Sequence, residues 1–172
     1  MVLARLSAMG DPTDNGTGPD ETMAAIAVAM QTAGVADRRD RLLALWERVG
    51  AGGDPLHRCT IGHYLADVCD DAAEALTWDI RALDAADMLT DDRVEAHHAS
   101  LNVAGFYPSL HLNLADNYRR LSSFAAAARH LDEAKRRLGA LSDDSYRRIV
   151  REGIDHVTVA LAAGSTERLP SH

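Results

Sequence analysis

Apolar side chains recur along this chain at helical spacing, and glycine, proline and polar residues separate the apolar segments. The clearest example is a stripe near the C-terminal end, with arginines and acids on the opposite face. That stripe consists of Tyr146, Ile149, Val150, Ile154, Val157 and Leu161. Similar patterns predict helices over 23–33, 38–49, 56–69 and 72–88. The whole pattern predicts an all-α protein.

A second pattern, of small and large residues, lies within 113–134. Small side chains at Ala115, Ala127 and Ala134 would let two antiparallel helices approach closely, while larger ones fill the space between them. The full set is Asn113, Leu114, Ala115, Tyr118, Ser122, Phe124, Ala127, Leu131 and Ala134. At these positions the chain resembles a tetratricopeptide (TPR) repeat. The resemblance implies helical hairpins stacked in a short α–α superhelix, and a role in binding other proteins.

A weaker copy of the same unit precedes this one. An ungapped reading puts Trp78 where the family has a small alanine, which would obstruct the helix contact. A first helix that is one turn shorter puts Ala75 and Ala82 at the family's small positions instead. We adopt the shorter helix because Asp71 and Glu74 form a capping-box pattern, in which Asp71 accepts from first-turn amides and Glu74 reaches back.

The helical pattern and the resemblance together divide the chain into consecutive parts. In order these are a flexible tail (1–21), one TPR-like domain (22–164) and a C-terminal tail (165–172). The domain comprises a degenerate repeat (22–50), a weak repeat (56–88), an insertion (89–107), a strong repeat (108–138) and a capping helix (143–163). The insertion forms either a separate short helix or part of one bent helix over 91–121. Because a solenoid needs about three repeats, either the degenerate repeat and the cap complete the core or the protein forms a homodimer.

Charge and composition limit the classes of partner and the cellular location that we expect. The formal net charge of −8 at pH 7 argues against nucleic acid, because phosphates would be repelled. No apolar stretch approaches the roughly 20 residues of a membrane span, and no secretory signal is evident, so we expect a cytoplasmic protein. Cys59 and Cys69 lie about 15 Å apart on one predicted helix and cannot form a disulfide. Lys135 is the single lysine, which indicates a high-GC bacterial codon bias.

Two local patterns could carry chemistry. Glu95 and His98 form half of the carboxylate–histidine pattern of di-iron helical bundles, but the chain has no second copy. Cys59 and His63 lie four residues apart on one helix, but no third group orients His63 from the same face. We therefore predict no catalytic residue, metal or cofactor. A metal-dependent enzyme around Glu95, His97 and His98 is the least favoured alternative.

The TPR resemblance also implies a binding site on the concave face, at first-helix positions that alternate with the packing residues. Those positions are Thr60, His63, Asp67, Ser109, Leu112, Asp116, Arg119 and Arg120. The apolar Leu112 among charges of both signs would suit a peptide of mixed charge. We therefore expect a non-catalytic adaptor that binds a protein or peptide partner. The alternative is a helical sensor, whose pocket for a small ligand is lined by the alanine-rich face of 23–33.

Overall fold

The computed structural model describes residues 20–98, 102–142 and 145–169, and every regular element within these ranges is helical. The α-helices are α1 (Glu21–Gln31), α2 (Val35–Val49), α3 (Pro55–Val68), α4 (Ala72–Ala86), α5 (Asp91–His97), α6 (Tyr107–Arg120), α7 (Phe124–Arg137) and α8 (Ser145–Ala162). Short 3-10 turns cover Val103–Gly105 and Leu138–Ala140. The predicted all-α class is confirmed. None of the described helices is long and apolar enough to cross a bilayer.

The boundary between α3 and α4 agrees with the prediction that assumed a shorter first helix. Helix α3 ends at Val68, and Oδ1 of Asp71 accepts from the backbone N–H of Glu74 at 2.8 Å to start α4. The carboxylate of Glu74 accepts from Arg39 of α2 at 2.5 Å, so this side chain joins α4 to α2. Gly62 allows the close approach, because a Cβ there would lie 3.2 Å from the carbonyl oxygen of Trp78.

The pairing of α6 with α7 places the residues of the strong motif in the core. Leu114, Ala115, Ala127, Leu131 and Ala134 are all buried. The turn between the two helices passes through Ser122, the single non-glycine residue with positive φ (61°) among the described ones. Glycine, which TPR repeats have at the corresponding position, adopts such a conformation without steric cost.

The segment between the two pairs is not one bent helix. Thr90 caps α5, whose last residue is His97, and the chain is extended at His98 (φ −158°). Helix α6 starts separately at Tyr107, with Pro108 in its first turn, where the missing N–H leaves no helical bond unmade. The described residues of 91–121 therefore form two α-helices, of which the short α5 lies in the predicted insertion.

Two apolar clusters form the core, and α6 contributes to both. The first cluster contains residues from each of the helices α1, α2, α3, α4 and α5 and from the start of α6. The second contains residues from the rest of α6, from α7 and from α8. Trp46 and Trp78 meet edge to face in the first cluster, with ring centroids 5.1 Å apart, and the guanidinium of Arg81 covers Trp78 at 4.6 Å. The large side chain at position 78 is thus accommodated against α2 instead of obstructing the α3–α4 contact.

Both tail boundaries differ from the sequence prediction. Asp20 belongs to the fold: its carboxylate caps α1 at the N–H of Met23 (3.0 Å) and accepts from Arg93 of α5 (2.9 Å) and His57 of α3 (2.8 Å). Residues 165–169 also pack against the helices, where Leu169 contacts the second cluster. The predicted tails otherwise fall on 1–19 and 170–172, which lie outside the described residues.

Candidate functional site: a groove beside the C-terminal segment

A cavity of about 400 Å³ opens between α3, α6 and α8. The end of α1, the start of α2 and residues 165–169, which we call the C-terminal segment, complete its walls. Its apolar lining comprises Met30, Ala66, Val68, Cys69, Leu112, Tyr146, Ile149, Val150, Val157 and Leu169. Its polar lining comprises Arg38, His63, Asp67, Ser109, Asn113, Asp116, Asn117, Arg120 and Arg168. We call this cavity the groove.

Six of the eight residues selected from the sequence line the groove together. They are His63, Asp67, Ser109, Leu112, Asp116 and Arg120. Thr60 does not reach it, because its side chain is fully buried and donates to the carbonyl of Leu56 in the preceding turn at 2.7 Å. Arg119 is also fully buried and does not line the cavity. The structure therefore removes Thr60 and Arg119 from the predicted surface.

A buried carboxylate, Asp79 of α4, lies beneath the polar floor of the groove. Its Oδ2 accepts from the side-chain amide of Asn117 at 2.7 Å, and its Oδ1 lies 3.5 Å from the amide nitrogen of Asn113. The same amide nitrogen donates to Asp67 at the rim at 3.1 Å. Nδ1 of His63 lies 3.9 Å from Oδ1 of Asp79. Two asparagines of α6 thus connect the floor to α3 and α4.

Burial favours the neutral forms of both titratable groups in this floor. It raises the pKa of Asp79 well above its usual range, and the nearby carboxylate of Asp67 raises that pKa further, against the two asparagine hydrogen bonds. Burial likewise lowers the pKa of His63, although Asp67 opposes this. Both shifts oppose charge in the floor, whereas the exposed Asp67 lies at the rim.

Arg119 links the groove to the C-terminal segment from below. Its guanidinium pairs with Asp116 one turn earlier at 2.6 Å. The same group donates to two backbone carbonyls of the segment, that of Ser165 at 2.6 Å and that of Glu167 at 2.8 Å. A buried guanidinium with a carboxylate and two carbonyls as acceptors is a satisfied charge. Arg119 therefore holds the segment in place through two backbone carbonyls.

Arg120 and Asp70 form the polar rim at the end of α3. One guanidinium nitrogen of Arg120 donates to the side-chain oxygen of Asn117 at 3.1 Å, and the other donates to the backbone carbonyl of Asp70 at 2.7 Å. The carboxylate of Asp70 also pairs with Arg168 of the C-terminal segment. Both charge signs therefore stand at this rim.

The sequence reasoning missed Asp79 and Asn117, although a signal was present. Ala75, Trp78 and Ala82 define the inward face of α4 at helical spacing, and Asp79 falls on that same face. A carboxylate on a buried stripe needs hydrogen-bond partners, which indicates a polar site beneath the surface. The partner's position on another helix could not be read from one sequence.

Of the other candidate residues, Cys69 lines the groove, whereas Cys59, Glu95, His97 and His98 do not. Among the described parts of the chain, no group of three histidine, cysteine, aspartate or glutamate side chains could hold a metal ion around Glu95 and His98 or elsewhere. Burial raises the pKa of the Cys59 thiol to about 12 and that of Cys69 to about 11, so both stay protonated at neutral pH. Both thiols are free, as the spacing predicted.

The alanine-rich helix α1 contributes little to the cavity. Only Met30, near its end, lines the groove, whereas Met23 and Ile26 pack into the first cluster. The face of 23–33, which the sensor alternative places around a pocket, thus contributes one residue to this groove. Comparisons with protein-family models, curated proteins and solved structures found no match to this chain.

Proposed function

We propose that this chain is a non-catalytic, TPR-like interaction module, which binds an extended segment of a partner protein in the groove. On this proposal the helix pairs α3–α4 and α6–α7 act as two repeats of a short α–α superhelix, and α8 caps it. The TPR resemblance of 113–134 supports the architecture. The function rests on the geometry of the groove.

The observation that carries the proposal is the convergence of the six predicted residues on one cavity. A volume of about 400 Å³ lies in the range of pockets that enclose a ligand, and it can hold a few peptide side chains. Leu112 and the apolar residues of α8 offer a surface for an aliphatic or aromatic side chain. The rim, with Asp67 on one side and Arg120 on the other, offers charges of both signs to the peptide backbone and side chains.

Selection from a displayed library of random peptides on the immobilised chain tests this proposal. Peptides that the wild type retains are then measured against Asp67→Lys and Arg120→Gln, which alter the rim without entering the core. We expect each change to weaken binding at least tenfold, since one well-placed charge-assisted contact contributes about 1.5–3 kcal/mol. Leu112 is left unchanged, because its side chain also packs in the second cluster.

Arg41→Glu is the matched control, because Arg41 is exposed on α2 and does not line the groove. Peptide affinity should be the same for this variant and for the wild type. If the retained peptides bind both rim variants as tightly as they bind the wild type, the binding surface lies elsewhere. A library that yields no retained peptide on the wild type or on Leu169→Ala, which lacks the apolar contact of the C-terminal segment, would refute the proposal.

A further inference from the structure

The C-terminal segment sits on the wall of the groove in an arrangement that a bound peptide would share. Two backbone carbonyls two residues apart, those of Ser165 and Glu167, accept from the one guanidinium of Arg119. The next residue, Arg168, pairs with Asp70 at the rim. Leu169 then packs against the second apolar cluster. Backbone recognition, a basic contact and an aliphatic anchor thus follow one another along five residues.

The segment also borders the space that a partner would need. Arg168 and Leu169 line the cavity together with the rim and apolar residues already described. The exposed pair between Arg168 and Asp70 contributes little by itself, because solvent screens it. The buried guanidinium of Arg119 and the packing of Leu169 are therefore the contacts that hold the segment.

We propose that the C-terminal segment is an intramolecular ligand bound along one wall of the groove, and that it competes with a partner segment of the same chemistry. That partner segment is extended and carries a basic residue followed by a large aliphatic one. Its backbone carbonyls accept from Arg119 and its basic side chain pairs with Asp70. Its aliphatic side chain replaces Leu169 against the second apolar cluster. This inference rests on the proposed function, to which it adds the class of ligand and its regulation.

Tethering makes such competition strong. A segment that is joined to α8 by a few residues has an effective concentration on the order of millimolar at its own site. A free peptide of the same sequence must exceed that concentration to displace it. Weakening the segment in the intact chain should therefore open the site to the free peptide.

The test uses the full chain and a synthetic peptide of residues 164–169, Gly-Ser-Thr-Glu-Arg-Leu, with an amidated C-terminus. Binding is followed by the NMR signal of the Arg119 Nε–H group in three chains: the wild type, Arg168→Glu with Leu169→Asp, and Thr166→Ala. Thr166 is exposed in the same segment and serves as the matched control. We expect the double variant to bind the peptide at least tenfold more tightly than the other two chains.

Equal affinity of the three chains for the peptide would overturn the inference, because the segment would then not compete. Failure of the peptide to bind a folded double variant would overturn it as well. Near-UV circular dichroism checks the fold, and Leu169→Ala is the milder variant should the double one not fold. The peptide that carries both changes, Arg168→Glu and Leu169→Asp, should bind none of the chains, and its binding would rule out recognition of the basic–aliphatic pair.

The library selection separates this inference from the proposed function. One outcome is a set of selected peptides that depend on Asp67 and Arg120 but lack a basic–aliphatic pair. If such peptides bind the wild type and the double variant equally, the proposed function stands and the proposed competition by the C-terminal segment is refuted. Selected peptides that contain the pair and bind the double variant more tightly support both.

Discussion

Two histidines that meet between α6 and α7 should make the fold sensitive to mild acid. Nδ1 of His111 lies 3.1 Å from Nδ1 of His130, so one ring donates and the other accepts, and both cannot be protonated in this arrangement. Tyr107 stacks on His111 and Tyr118 on His130. Burial, together with His130 and Arg137, lowers the pKa of His111 to about 4, against weaker opposition from Glu133 and Asp87.

The sign and size of the effect follow from linkage. A histidine in the unfolded chain has a pKa of about 6.5, so the unfolded state binds the proton first as pH falls. Stability is therefore present above pH 6.5 and is lost between about pH 6.5 and 4. At pH 5.0 protonation favours the unfolded chain about thirtyfold through His111 alone, whereas at pH 7.5 the effect is negligible. The free energy of unfolding should fall by about 2 kcal/mol between these two pH values from this residue.

His111→Phe removes the titrating group and keeps an aromatic ring in the stack. We expect urea unfolding, followed by far-UV circular dichroism at pH 7.5 and 5.0, to show a pH-dependent loss about 2 kcal/mol smaller in this variant than in the wild type. The absolute stability of the variant is not the observable, since a lost hydrogen bond lowers it at both pH values. His156→Phe, at an exposed position of α8, controls for the loss of a histidine as such. If His111→Phe and the wild type lose the same free energy on acidification, the reasoning is refuted.

Three further changes test other parts of the structure. The stability of Asp79→Asn relative to the wild type should rise between about pH 4 and pH 8. The raised pKa of Asp79 means that the wild type loses stability from the unfolded-state pKa of about 4 up to the folded-state pKa, whereas asparagine does not titrate. Urea unfolding at both pH values measures this, and a relative stability that stays constant or falls would contradict the raised pKa. Ser122→Gly should raise the free energy of unfolding by about 0.5–1 kcal/mol by relieving the positive φ, whereas Ser123→Gly should not, and a destabilised Ser122→Gly would show that the turn carries no strain. Ala127→Leu should overpack the α6–α7 contact and lower the free energy of unfolding by about 1–3 kcal/mol, so an unchanged melting temperature would count against that packing.

The sequence predicted the helices well because their apolar spacing and end signals act locally. Asp71 starts α4 and Pro108 lies in the first turn of α6, both where the pattern indicated. The short turns between paired helices then leave few ways to pack α3 on α4 or α6 on α7. Local chemistry was therefore sufficient for element type and for most boundaries.

The groove could be predicted only in part, because its remaining features depend on contacts between distant residues. Helical periodicity places Arg119 near the groove face, yet the guanidinium turns to the carbonyls of Ser165 and Glu167, 46 and 48 positions away. Asp79 and Asn117, which are 38 residues apart, meet only once α4 packs on α6. Polar residues in a terminal sequence also give no sign that an adjacent leucine will anchor them to the core.

The placement of the two tryptophans determines which part of the protein their fluorescence monitors. Trp46 and Trp78 are the only tryptophans of the chain, and both lie in the first apolar cluster. Their emission therefore monitors the α2–α4 side, while far-UV ellipticity monitors all the helices. Peptide binding at the groove would leave that emission largely unchanged. Tyr146→Trp, on the wall formed by α8, would give the groove an optical signal of its own, and comparison of the two emissions would show whether the halves of the core unfold together.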